Sequence, residues 1–231
     1  MADTDARTSL ISLLQGVEKF NTEVFPQNRE LFAELADQQS PDTLFIACAD
    51  SRVNPSMITQ TRPGDLFVLR NIGNIVPAYG EMLGGVSSAI EYAVLALGVS
   101  HIIVCGHSDC GAMKALLDPD PTKLARMPTV ASWLRNAEAA RAVAGVLQAT
   151  DAGPQSVRSL AEQNVLLQIA HLRTHPAVAA GLARNTLILQ GWFYDIASGE
   201  VVVLDETTRT SIHVDEAIAR LNKTGTETPA A

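Results

Sequence analysis

Four short apolar runs constrain this chain more than anything else in it: Thr43–Cys48, Leu66–Leu69, His101–Cys105 and Thr186–Leu189. Each is too short for a stable helix, is bounded by turn residues or polar loops, and reads as a strand buried on both faces. Helical spacing fills the intervals. One stretch runs from Gly84-Gly85 through Ile90, Tyr92 and Leu97, and Ala- and Leu-rich stretches cover about 129–149 and 155–183. Strands alternating with helices require right-handed crossovers and hence a mainly parallel sheet. Ala197-Ser198-Gly199 is a turn signal between two further apolar segments, so Glu200–Leu204 is expected to fold back as an antiparallel edge. The predicted fold class is α/β: a central, mostly parallel sheet of about four strands plus an antiparallel edge strand, flanked by helices.

Ahead of the sheet, Leu10, Leu13, Leu14, Val17 and Phe20 recur at helical spacing behind Thr8 and Ser9, which are candidate caps. A second helix carries Leu31, Phe32 and Leu35 and ends before Ser40-Pro41. Residues 1–38 therefore read as an N-terminal helical arm on a single domain spanning 1–231, and the Thr- and Pro-rich tail from about 222 to 231 is expected to be flexible.

Composition narrows the function. With 17 Lys and Arg against 25 Asp and Glu the net charge is −8, which repels nucleic acid and anionic lipid. No apolar run reaches the ~18 residues of a membrane span. Met1-Ala2-Asp3-Thr4-Asp5 is acidic where a signal peptide is basic. Three cysteines form no even disulfide set, so the expected setting is reducing and cytoplasmic.

Two strand ends carry chemistry. Cys48 closes the first run and leads into Ala49-Asp50-Ser51-Arg52; the third leads into Cys105-Gly106-His107-Ser108-Asp109-Cys110-Gly111. In open α/β sheets, functional groups gather where strands end. If these two strands are neighbours, Cys48, His107 and Cys110 converge. Two thiolates and an imidazole suit zinc, and three protein ligands leave one position open, as a catalytic site requires. Ordinary buried thiols at strand ends are the alternative, which the polarity of the Asp50–Arg52 loop argues against. Cys105 ends an apolar strand and reads as a spectator. His171 and His175 stand four apart on a predicted helix, but Pro176 follows at once and no third ligand accompanies them. His107-Ser108-Asp109 holds the residue types of a catalytic triad, yet adjacent residues cannot converge as one. No phosphate-cradling Gly-rich loop is present.

Cys48-Ala49-Asp50-Ser51-Arg52 with His107-Ser108-Asp109-Cys110-Gly111 resembles the β class of carbonic anhydrases. Gly64 to Asn74, Ala89 to Val94, and Gly191 to Asp195 match the same family in the same order, so the resemblance covers about residues 10–205 and lies closest to the bacterial and plant-like branch. It implies zinc, one per chain, held by Cys48, His107 and Cys110, and reversible hydration of carbon dioxide to bicarbonate and a proton through attack of zinc-bound hydroxide. Hydrolysis of carbon disulfide or carbonyl sulfide on the same site is the alternative, and a zinc-bearing module without turnover is a third reading. Two thiolates cancel the charge of the ion, so its water is acidified less than by three neutral histidines. Asp50 is the candidate to orient that water, and Arg52 to hold Asp50 ionised.

The resemblance further implies a substrate pocket of Gln39, Phe67, Ile72, Gly85 and Tyr92. Gln39, Phe67 and Tyr92 would reach the zinc from a partner subunit, making a homodimer the catalytic unit, with tetramers or larger assemblies built from it. Some members close the site, with Asp50 as fourth zinc ligand only in that closed form, and bind bicarbonate at a Trp, Arg and Tyr cluster. Here Arg70 and Tyr194 match, but Phe45 stands in the Trp position. Phenylalanine offers no N–H donor, so the open state, with Asp50 on Arg52, is the expectation.

Overall fold

The structure, a computed structural model, describes residues 6–150 and 156–224. It divides into two compact units, 1–39 and 40–231. In the first, α1 (Ala6–Lys19) widens into a π turn at Phe20–Val24, then continues as α2 (Phe25–Gln27) and α3 (Arg29–Asp37). The widening falls in the turn before Pro26, which has no N–H to bond the carbonyl four residues back. Thr8 and Ser9 lie inside α1, not at its cap, because the helix already runs from Ala6. Phe20, Phe25 and Phe32 pack on one another with ring centroids 5.3–6.0 Å apart. Leu10, Leu13, Leu14 and Val17 are exposed.

The second unit begins with β1 (Thr43–Cys48), α4 (Pro55–Thr59), β2 (Leu66–Asn71) and a tight turn at Ile72–Asn74. α5 (Gly85–Glu91) is prolonged through Tyr92–Leu97 and leads to β3 (His101–His107). Then come α6 (Gly111–Leu117), α7 (Pro121–Ala125), α8 (Pro128–Leu134), α9 (Glu138–Thr150), α10 (Val157–Leu172) and α11 (Pro176–Ala183). β4 (Ile188–Tyr194), β5 (Val201–Leu204), β6 (Ser211–His213) and α12 (Val214–Thr224) finish the described chain.

The sheet order is β2-β1-β3-β4-β5-β6. β1 to β4 run parallel, and β5 folds back antiparallel on β4 as expected. β5 is not the edge, however, because β6 pairs antiparallel on it. Three residues with one apolar side chain leave no periodic signal for such a strand. Residues 222–224, expected in the tail, close α12; 225–231 lie outside the described residues, as do 1–5.

β1 is buried on both faces, which explains its unbroken apolar run. Leu44, Ile46 and Cys48 belong to one core, and Phe45 and Ala47 to another that includes Ile103 and Cys105. α10 lies against β3 and β4, and its Val165 fills the space left by two glycines. A Cβ on Gly106 or on Gly191 would come within 2.7 Å of a Val165 methyl. Polar residues of the same helix fix the loop after β2. Gln168 accepts from Val76 N (2.8 Å) and donates to Asn164 Oδ1 (2.8 Å), and Asn164 donates to Gly73 O (3.0 Å). His171 and His175 do not share a helix, since Pro176 starts α11 and leaves His175 as its cap. Each histidine instead donates a ring N–H to that loop, His171 to Val76 O (2.8 Å) and His175 to Pro77 O (3.0 Å).

Candidate metal centre

Cys48 and His107 are the last residues of two adjacent parallel strands. After His107 the chain turns through Ser108 and Asp109, with Asp109 in the left-handed region (φ 59°), and delivers Cys110 to the start of α6. The cysteine thiols and the His107 imidazole are buried, with one ligand atom from each within 4.8 Å of the others. His107 Nδ1 donates to Ser108 O (2.8 Å), which leaves Nε2 as the acceptor; Nε2 is buried and has no hydrogen-bond partner. An imidazole nitrogen stranded beside two thiols is what a metal ligand looks like before its ion, and this donor set suits zinc.

The two thiols are driven in opposite directions. Cys110 hydrogen-bonds to Cys48, which holds Cys48 well below the ordinary thiol range and, together with burial, pushes Cys110 up. Gly73 N–H also donates to Cys48 Sγ (3.4 Å). Only glycine serves there: its φ is +76°, and a Cβ would lie 2.9 Å from Ala112 Cβ. Cys105 takes no part. It is fully buried, burial raises its pKa to about 12, and it sits in the core with Phe45 and Ile103.

Beside the thiols, Arg52 grips Asp50 in a bidentate pair, Nε to Oδ1 at 2.9 Å and Nη2 to Oδ2 at 2.8 Å. The pair keeps the Asp50 carboxyl far below the usual carboxylate range, chiefly through the hydrogen bond from Arg52. Arg70 fixes the backbone of the same loop, donating to Cys48 O (3.1 Å) and Asp50 O (2.6 Å). Phe45 packs edge-on against Trp192, with centroids 5.8 Å apart.

The family model for carbonic anhydrase matches residues 43–201. A carbonic anhydrase of Pseudomonas aeruginosa is 47% identical over 204 residues, covering 88% of this chain and 91% of that protein. The solved structure of the β-carbonic anhydrase CcaA superposes with a TM-score of 0.84 at 40% identity, covering 89% of this chain and 92% of that one. This chain belongs to the β-class carbonic anhydrases. A structure from a study of two tetrameric β-carbonic anhydrases of Sordaria macrospora superposes with a TM-score of 0.74 at 32% identity, over 85% of this chain and 96% of that one. Among the described residues, the Cys48–His107–Cys110 cluster is the single zinc site of this β-class chain.

The residues predicted to wall the substrate pocket are placed differently. Phe67 on β2 and Tyr92, in the turn that prolongs α5, stand with ring centroids 6.0 Å apart. Ile72 precedes the glycine that reaches Cys48, and its carbonyl accepts from Trp133 Nε1 (2.8 Å). Gly85 opens α5 and is exposed. Gln39 closes the N-terminal unit and is exposed. Within the second unit the structure thus brings together the three metal ligands, the Asp50–Arg52 pair, and the Phe67–Tyr92 pair; Gly85 joins none of these groups. Sequence reasoning missed the amide of Gly73 and the second carboxylate on Arg52, that of Asp109. The signal for Asp109 was its place between two ligands with Lys114 one turn further along.

Proposed function

We propose that this β-class chain catalyses reversible hydration of carbon dioxide at its Cys48–His107–Cys110 site, with Asp50 and Arg52 governing the attacking water. The observation that carries this is a buried Cys–His–Cys donor set beside a carboxylate held in a bidentate arginine pair. When bound, zinc supplies the Lewis acidity that makes water nucleophilic near neutral pH. Two thiolate ligands weaken that effect, so the chain's own residues have more to do. Asp50, kept ionised by Arg52, accepts a hydrogen bond from the water and turns its oxygen lone pair toward the carbon of carbon dioxide. A C–O bond forms, a C=O pair moves onto oxygen, and bicarbonate and a proton leave. Arg70 holds the carbonyls of Cys48 and Asp50, so the loop cannot drift as the carboxylate works. The closed form, with Asp50 as a metal ligand, requires breaking both bonds to the Arg52 guanidinium, and Phe45 gives bicarbonate no donor with which to favour it.

Phe67, Ile72 and Tyr92 offer an apolar wall suited to carbon dioxide, Gln39 a donor to substrate, and Gly85 a main-chain N–H at a helix start for bicarbonate. The catalytic unit is a homodimer, in which Gln39, Phe67 and Tyr92 serve the partner's zinc and residues 1–38 act as the dimerisation arm; the tetrameric Sordaria relatives favour further assembly. No described helix is long and apolar enough to cross a membrane, and we place the enzyme in the cytoplasm on its reduced thiols. The test is stopped-flow proton release from zinc-loaded protein fed carbon dioxide, with carbon disulfide and carbonyl sulfide in parallel. Carbon dioxide hydration is expected. Asp50→Asn and Arg52→Ala should each keep zinc and lose roughly 10²-fold or more in turnover. Proton release from the sulfur gases alone would overturn the substrate, and full activity in either variant would reduce the pair to a loop salt bridge.

A further inference from the structure

We propose that Asp109, braced by Lys114, is a positioning residue that sets the geometry of the Asp50–Arg52 pair. The proposal rests on the reading of Asp50 as the group that orients the water. A guanidinium is a rigid plane with separate donor edges. Arg52 gives one edge, Nε and Nη2, to Asp50. It gives the other to Asp109, with Nη1 to Oδ2 at 3.0 Å and Nη2 to the main-chain carbonyl at 3.4 Å. Because the plane is rigid, the direction in which the first edge points is fixed by what grips the second.

That second grip is needed. The Arg52 side chain is 44% exposed, and an exposed ion pair between residues two apart is weak and free to rearrange. Asp109 joins Arg52 to a different element, 57 residues away in the chain. It stands in the turn between His107 and Cys110, so whatever it holds is registered to the same turn that carries two metal ligands. Lys114 completes the arrangement. It lies one turn beyond Cys110 on α6, its N–H bonds Cys110 O (2.9 Å), and its ammonium pairs with the remaining Asp109 oxygen. The carboxylate of Asp109, half exposed, thereby lies between two cations, Arg52 and Lys114. A chain that only needed the turn could use any residue tolerant of positive φ, such as Asn or Gly; the ionised carboxylate is what the turn alone does not require.

Asp109→Asn separates the two roles, since asparagine tolerates the turn but lacks the charge, and Asp109→Gly serves if the first variant folds poorly. Expected are unchanged zinc content, about one per chain, a fall in kcat of roughly 10-fold with KM within about 2-fold of wild type, and partial recovery in Asp109→Glu. Lys114→Ala should cost only about 2- to 3-fold, because Asp109 retains Arg52. A crystal structure of zinc-loaded Asp109→Asn should show Arg52 rotated and its bidentate contact with Asp50 broken. Wild-type kcat in Asp109→Asn, an intact Asp50–Arg52 contact, or loss of zinc would each overturn the proposal. Asp50→Asn run alongside keeps the two levels apart. If it is inactive while Asp109→Asn is fully active, only the role of Asp109 falls; if Asp50→Asn is itself fully active, the underlying reading falls with it.

Discussion

The metal cradle and the proposed substrate wall are built in opposite ways. Cys48, His107 and Cys110 are 5%, 1% and 1% exposed, the first two at the ends of β1 and β3 and the third at the start of α6. Ile72 and Tyr92 are 44% and 50% exposed. The difference follows from what each must do. A thiolate–imidazole set gains from exclusion of water and from immobility, and only the chain's own core supplies both. Apolar side chains left half in water gain instead from being covered by another surface. That asymmetry supports the proposed homodimer, in which the ion would be held within one chain and the wall completed by two.

The largest expected effect lies in the cradle. Cys48→Ser should remove most of the zinc and all measurable turnover, read by metal analysis and carbon dioxide hydration. Thiolates must lose protons to bind, so zinc should also be shed as pH falls. If Cys48→Ser keeps stoichiometric zinc while Cys105→Ser loses it, the buried set has been misassigned and the contrast with the wall disappears.

Next in size is the packing behind the cradle. Gly106→Ala or Gly191→Ala drives a methyl against Val165, and each should destabilise by about 1–3 kcal/mol in chemical denaturation. Gly106 is next to His107, so its variant should also weaken zinc retention, whereas Gly191→Ala, remote in sequence from every ligand, should lower stability alone. Equal zinc loss in both would mean that the cradle depends on the whole core and not on its own strand.

The wall should respond more gently and in a different quantity. Tyr92→Ala is expected to lower kcat/KM several-fold while leaving zinc content and folding stability near wild type, since Tyr92 is half exposed; Phe67→Ala should also lower stability, because Phe67 packs against the core. A change in sedimentation toward smaller species would sharpen the contrast, tying the wall to the subunit contact. A severe loss of stability in Tyr92→Ala would break it, because that residue would then belong to the chain's own core.

How far the sequence could carry this is visible in the same residues. β1 and β3 were legible because strands buried on both faces leave unbroken apolar runs, and the ligands because they stand where those runs end. β6 was not, since Ser211–His213 owes its strand to pairing with β5 rather than to its own pattern. The shared helix read over His171 and His175 does not form, for a local reason: α10 ends at Leu172, and Pro176 starts a new helix directly after His175. The grip of Asp109 on Arg52 spans 57 residues and exists only once β1 and β3 lie side by side. Exposure of the wall is equally invisible, because Tyr92 and Ile90 read alike in sequence although one is half in water and the other fully buried.

The smallest effect concerns the loop that joins the two regions. Residues 72–77 carry Ile72 of the wall and the Gly73 amide of the cradle, and His175 closes the far end by donating Nε2–H to Pro77 O. His175 is 2% exposed, stacks edge-on against Tyr79, and has its pKa lowered, first by burial and also by the neighbouring His171. A histidine whose folded pKa is depressed is bound neutral, so its contribution to stability is fully present above the unfolded value near 6.5 and is lost as pH falls below it. Melting temperature should therefore decline between pH 7.5 and 5.5. His175→Gln, which retains an N–H donor for the Pro77 carbonyl but cannot titrate, should melt lower at pH 7.5 and show a shallower decline toward pH 5.5. The carboxylates do not contribute in this window, because Asp50, Asp109 and Asp205 are all shifted downward and release stability only below about pH 4. An identical decline in wild type and variant would assign the acid sensitivity elsewhere, with zinc loss from the thiols the next group to examine by metal analysis across the same pH range.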